Sequence, residues 1–262
     1  MALPDVSKVA SVEFDQPRYL GQPEIYVIAS QPRCGSHYLA HLLRQSHQAG
    51  VPLEYFHSRH WRSWYKRCGQ SSPLSAFRLL CQLRTTPNGV FGVKMHWHQL
   101  TYAAHLRMEA ELRDARFIYI TRDDLLGQAI SHVIAAQTGV WIEGQSQAGT
   151  PTFSIDAILS SMRFILKERG SWERFFVLND LRPFRVTYED LSARRDDVMA
   201  GVCAFLGQEW AGAPQETRAQ RGPLNDEWRT RFHEVMRGGS DGDEFWRNEF
   251  GLRHRAETEA LW

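Results

Sequence analysis

Three observations predict an α/β fold built on a parallel β-sheet flanked by helices. Short apolar runs of strand length alternate with longer stretches of helical spacing. The first run, Ile25 to Ala29, leads through a short polar turn into Tyr38, Leu39, Leu42 and Leu43, which recur with a helical period. A later run, RFIYITRDD, places Arg122 at its C-terminal end, where ligands of open parallel sheets collect.

Taken in order, residues 1–23 contain Pro4, Pro17 and Pro23 and read as an N-terminal arm, partly disordered, ahead of the first strand. Gly50 ends the first helix, and Pro52 prevents its resumption before Glu54, Tyr55, Phe56 and His57. Ser72–Thr85 reads as a short helix closed by the turn TPNG, and VFGVKMHWH as the second strand. Helical composition over Ala103–Leu112 precedes the strand Arg116–Asp124. The helix LLGQAISHVIAAQTG then ends in Gly139, and Ser154–Leu178 carries the longest helical pattern. PFRVTYEDL supplies a last strand ending near Tyr188, and Arg194–Leu206 a further helix. The helix NDEWRTRFHEVM lies in a C-terminal helical extension, 208–262, of what reads as a single domain over 1–262.

A 43% hydrophobic and 23% charged composition is that of an ordinary globular protein. No run approaches the ~20 apolar residues of a spanning helix. The first residues show no basic-then-apolar leader, which points to a cytoplasmic location. With a formal net charge of +1 and no cluster of Lys and Arg, nucleic acid is not an expected partner. Cys34, Cys68, Cys81 and Cys203 form no CxxC and read as reduced thiols.

The chemistry concentrates in IYVIASQPRCGSHYLAHLLRQS, residues 25–46. A strand, turn and helix presents backbone N–H groups and the positive helix end to an anion such as phosphate. Arg33 adds a fixed charge, Gly35 lets the backbone pass close to a ligand, and Ser36 supplies a hydroxyl and an N-cap. The loop GxxxxGK[ST] is absent, since its first Gly is missing and no Lys precedes Ser36, which argues against an ordinary ATPase or kinase.

SQPRCGSHYL resembles the phosphosulfate loop of sulfotransferases. With AGVPLEYF, RTTPNGVFGVKMHWHQ, RDDLLGQAIS, AAQTGVW and NDEWRTRF, in order from residue 29 to about 232, the chain resembles the bacterial trehalose 2-sulfotransferase group. That resemblance implies a P-loop-NTPase-like sulfotransferase fold, the donor 3'-phosphoadenylyl sulfate (PAPS), a sugar or glycolipid-type acceptor, no metal and a homodimer. The donor's 5'-phosphosulfate would meet Arg33, Cys34, Gly35, Ser36, His37 and Tyr38. Its 3'-phosphate would meet Arg122 and Ser131, and its adenine Tyr188. Glu54 falls at the family's general base, which takes the acceptor hydroxyl's proton, and Arg33 would stabilise charge on the donor oxygens. Gln31 and the segment Val51, Glu54, Tyr55, Phe56 and His57 match acceptor-contacting positions, and His57 is the alternative base nearest in sequence. Val51 stands where the trehalose enzymes carry Glu, which removes an acceptor for sugar hydroxyls. Trp228 or Arg229 would close over the nucleotide or else serve packing, and Trp210, Trp228, Phe245, Trp246 and Phe250 would supply dimer surface.

Other readings carry less. His37 and His41, or His96 and His98, have metal-like spacing but no third ligand at a characteristic interval. Cys34 at a helix start beside Arg33 has the setting of a reactive thiolate, against which stands a simple packing role. Trp61, Trp64 and Tyr65 fit an acceptor cleft, a partner surface or ordinary packing. A non-catalytic binding protein on the same fold would leave Arg33, Glu54, Arg122 and Ser131 surplus.

Overall fold

Strand β1 (Glu24–Ser30) is buried from Tyr26 onward, as a strand covered on both faces must be. The computed structural model describes residues 8–142, 145–212 and 222–238. It sets β1 between β2 (Val90–His96) and β3 (Arg116–Thr121), with β4 (Phe184–Thr187) beyond β3. All three pairings are parallel, so the loops that leave Ser30, His96, Thr121 and Thr187 gather at one edge. The predicted parallel α/β architecture is thus observed.

The helices, in chain order, are α1 (Ser36–Gln45), α2 (Ser58–Cys68), α3 (Pro73–Arg84), α4 (Trp97–His105), α5 (Glu109–Leu112), α6 (Leu125–Thr138), α7 (Ile155–Leu178), α8 (Tyr188–Ala193), α9 (Arg195–Phe205) and α10 (Pro223–Gly238). The chain divides into two compact units, residues 1–124 with 163–218 and residues 125–162 with 219–262. The first holds the whole sheet. Because side chains alternate along a strand, Tyr26 and Ile28 pack with Leu39, Leu42 and Leu43 of α1 and Val202 of α9. Val27 and Ala29 pack on the other face with Trp64 of α2, Phe77 of α3, Ala103 of α4 and Trp172 of α7. In the second unit Trp228 of α10 is buried edge-on against Phe153, with ring centroids 5.6 Å apart. Of the roles open to Trp228, the buried ring contact supports packing. Phe245, Trp246 and Phe250 lie outside the described residues.

Local chemistry moves several expected boundaries. The second strand stops at His96, whose N–H donates to Gln99 Oε1 at 3.1 Å and turns the chain into α4. The helix expected over Ala103–Leu112 is split, α4 ending at His105 and a single turn forming at α5. Thr187 Oγ1 accepts from the Asp190 N–H at 3.0 Å, a helix cap that puts Tyr188 in the first turn of α8. Helix α2, which the sequence pattern did not separate from its flanks, ends at Gly69 in the left-handed region. Disorder was expected along the arm, yet from residue 8 it is held down. Asp15 accepts from Arg67 and from the fully buried Arg84, and the Gln16 N–H donates to Leu83 O at 2.8 Å.

Candidate active site

The loop between β1 and α1 has the backbone of an anion nest. Arg33 sits at φ 63° and Gly35 at φ 87°, both left-handed, a conformation that is costly for a side-chain-bearing residue and collects at ligand loops. Gly35 is the N-cap of α1 and brings no side-chain hydrogen bond to the first turn. A Cβ on Gly35 would meet Tyr188 Cδ2 at 2.4 Å, so the Tyr188 ring lies directly against the loop. Cys34 is fully buried, and burial raises its pKa, the opposite of a reactive thiolate. Tyr38 interacts with Arg195 of α9.

At the neighbouring strand end the Arg122 guanidinium lies 5.2 Å from the Tyr188 ring centroid and donates to Asp124 Oδ2 at 3.2 Å. Burial, and then repulsion from Arg122, lower the Arg33 pKa to about 10. Two guanidiniums therefore share one region around Tyr188, an arrangement that an anion relieves. Ser131 lies on α6, in the second unit.

Glu54 is carried by a short segment added to the sheet: Leu53 bridges Val93, and the Lys94 N–H donates to Leu53 O at 3.0 Å. Its carboxylate accepts from Lys94 Nζ through Oε1 and from Gln99 Nε2 through Oε2 at 2.9 Å. His37 Nε2 stands 3.2 Å and His96 Nε2 3.7 Å from Oε1, and His37 Nε2 is 3.1 Å from Lys94 Nζ. Burial alone would raise the Glu54 pKa, but the Lys94 charge and the His96 and His37 rings outweigh it and hold the carboxyl well below its usual range. Burial and the same ammonium lower His37 to about 4; burial lowers His96 to about 3. At neutral pH the cluster is a carboxylate, an ammonium and two uncharged imidazoles.

The remaining acceptor candidates divide. Gln31 is buried, donates from Nε2 to Tyr119 Oη at 3.2 Å, and keeps its Oε1 without a partner. His57 lies near Glu54, its Nδ1 unpartnered and its ring 4.8 Å from that of His60. Val51, Tyr55 and Phe56, where direct acceptor contact was expected, are sealed in the core. Tyr55 Oη donates to Val51 O at 2.5 Å, and Phe56 stacks on Trp61, so these side chains hold the segment that presents Glu54. Trp61 and Trp64 are core residues as well. The sequence reading missed Lys94, Gln99, Glu168 and Arg169. Lys94 had left a signal: it is the single charged residue of VFGVKMHWH, and a buried lysine needs a partner. His37 was expected to meet the donor through its backbone N–H; its ring reaches Glu54 and links the donor loop to the carboxylate.

An arginine-bearing nest after the first strand, a second arginine at the next strand end and a buried, cation-paired carboxylate beside them define an enzyme that moves an anionic group. The Stf0 sulphotransferase family model matches residues 25–235, and the chain belongs to that family. It is a sulfotransferase. Two relatives are the trehalose 2-sulfotransferases of Mycolicibacterium smegmatis and Mycobacterium tuberculosis. The first is 25% identical over 80% of this chain and 94% of its own, the second 27% identical over 79% and 93%. Among solved structures, the sulfotransferase domain of the Synechococcus PCC 7002 olefin synthase aligns with a TM-score of 0.47 and 16% identity, covering 82% of this chain and 91% of its own. Among the described residues no helix is long and apolar enough to cross a membrane.

Proposed function

We propose that the protein transfers the sulfuryl group of PAPS to a hydroxyl of a carbohydrate or glycolipid-type acceptor. The acceptor oxygen forms a bond to sulfur as the bond from sulfur to the 5'-phosphate oxygen breaks, giving a sulfate ester and adenosine 3',5'-bisphosphate. Glu54 accepts the hydroxyl proton, and Arg33 with the α1 N-terminus meets the charge that grows on the leaving phosphate. Arg122 takes the 3'-phosphate, and Tyr188 lies beside the nucleoside. The observation that carries the reading is the pair of guanidiniums at neighbouring strand ends, Arg122 lying 5.2 Å from the Tyr188 ring centroid and, after burial, adding to the lowering of the Arg33 pKa. Two cations so placed fit a ligand that is anionic at both ends. A sugar acceptor agrees with the trehalose-acting relatives, and Gln31 Oε1 offers an unused acceptor for one of its hydroxyls. We further propose a homodimer, checked by light scattering against the 30.3 kDa monomer.

Calorimetry with adenosine 3',5'-bisphosphate, AMP and ATP tests the donor assignment. The bisphosphate binds roughly 10- to 100-fold tighter than AMP, the effect of one charge-assisted hydrogen bond. Equal affinity for AMP refutes it. Labelled sulfate followed from the donor into sugar and glycolipid extracts identifies the acceptor.

A further inference from the structure

Helix α7 makes three polar contacts with the sheet's C-terminal edge, each at a different strand exit. Trp172 Nε1 donates to the carbonyl of Ser30, the last residue of β1, at 3.1 Å. Arg169 Nη2 donates to the carbonyl of Arg122, just past β3. Glu168 accepts from the backbone N–H of Trp97 at 2.8 Å and of His98 at 3.2 Å, the first residues of α4 after β2, with His98 Nδ1 at 3.3 Å. Within α4 a capping box pairs His96 with Gln99, and the next two N–H groups, those of Trp97 and His98, are met from another helix. Glu168 is only 4% exposed. Packing does not require a carboxylate there, because Trp172 already meets Trp97, Phe117, Phe175 and Phe176 in an aromatic cluster, and a buried carboxylate is costly unless it fixes a geometry.

What lies downstream of these contacts is the reacting machinery. The Gln99 amide is oriented by its own Oε1, which accepts from the His96 N–H, so its Nε2 is turned to Glu54 Oε2. We propose that Glu168 and Arg169 are positioning residues for the two halves of the reaction, Glu168 setting α4 so that Gln99 holds Glu54, and Arg169 setting the peptide that carries Arg122. This rests on the sulfuryl-transfer reading above. Adjacent residues on one helix then act on different quantities, Glu168 on the base and Arg169 on the nucleotide.

The test uses Glu168→Gln, which keeps the size and removes the charge, and Arg169→Met, which keeps the aliphatic length. Three readouts are taken: kcat at saturating donor, calorimetric affinity for adenosine 3',5'-bisphosphate, and the carbon-13 titration of the Glu54 carboxyl in the free protein. Glu168→Gln lowers kcat roughly 10- to 100-fold, leaves nucleotide affinity within about twofold and moves the Glu54 titration upward. Arg169→Met weakens the nucleotide about 10-fold and leaves kcat at saturation near the parent value. If Glu168→Gln does not fold, Gln99→Leu cuts the same link one step later and must reproduce the kcat loss and the upward titration. Parallel losses of kcat, affinity and melting temperature in both variants overturn the proposal, as does an unmoved Glu54 titration. A parent protein that transfers no sulfuryl group defeats the functional reading, while the titration and the nucleotide affinities still decide the positioning roles.

Discussion

Replacing Lys94 with Met should turn Glu54 from a permanently charged group into one that titrates where activity is measured. The ammonium is 1% and the carboxylate 13% exposed, so the pair is buried on one side and nearly so on the other. Breaking such a pair costs about 3 to 5 kcal/mol, and the residual exposure of Glu54 argues for the lower end. At roughly 2 to 4 °C per kcal/mol, a loss of about 3 kcal/mol lowers the melting temperature by about 6 to 12 °C. The sign follows from the direction of the shift. In the parent, Glu54 is depressed, so its stabilisation is present above the unfolded carboxyl pKa and is lost as pH falls through the folded one. In Lys94→Met, burial remains while the main opposing charge is gone, and the folded pKa rises. The deficit is therefore largest at neutral pH and shrinks in acid, where the variant's carboxyl is protonated at no cost. Melting curves from about pH 4 to about pH 8 measure this, and kcat/KM profiles should gain an acid limb above the usual carboxylate range. The double variant Lys94→Met/Glu54→Gln should recover much of the stability, because neither charge is then buried alone. An unchanged melting temperature at neutral pH with an unchanged limb would refute the pairing.

Gly35→Ala should abolish nucleotide binding, since a Cβ would lie 2.4 Å from the Tyr188 ring at a backbone φ of 87°; parent-like affinity by calorimetry would count against the loop geometry. Cys34, buried with a raised pKa, should resist iodoacetamide in the folded protein while the partly exposed Cys68 reacts, as peptide mapping would show. With His96 lowered to about 3, the unfolded imidazole binds a proton before the folded one does, so stability should fall as pH drops below about 6.5. Its ring resonances should stay those of the neutral form through that range, and His96→Gln should blunt the acid loss.

The fold was legible because its strands are apolar runs of the right length and its breaks are glycines and prolines; β1 was found within a residue at each end and β3 at its start, with its end placed three residues late. Boundaries failed where a side chain far away in sequence decides them. Trp97 and His98 read as strand from their neighbours, but Glu168, seventy residues on, caps their N–H groups and starts a helix there. Glu54 and Arg33 were reachable through motif resemblance, whereas Gln99 and Glu168 became visible only when three strand exits met at one edge. Tyr55 and Phe56 show the converse error, since adjacency to a reacting group in sequence says nothing about which way a side chain turns from a chain docked on a sheet.

A carboxylate held so far below its usual range is a weak base, and on the proposed reaction this orders the events at sulfur. Glu54 cannot strip an ordinary hydroxyl in advance of attack; the proton moves once the forming bond to sulfur has made the oxygen acidic. Before transfer, Glu54 and Lys94 cancel and His37 and His96 are uncharged. When the proton arrives on Glu54 the cancellation ends, and the cluster becomes net positive as negative charge builds on the leaving phosphate. Lys94 is linked to that end of the site through His37, whose Nε2 lies 3.1 Å away and whose backbone belongs to the first turn of α1. On that proposal the ammonium that weakens the base in the resting protein would become, at the moment of transfer, a cation freed to stabilise the leaving group. A tighter base without Lys94 would gain proton affinity and lose this timing.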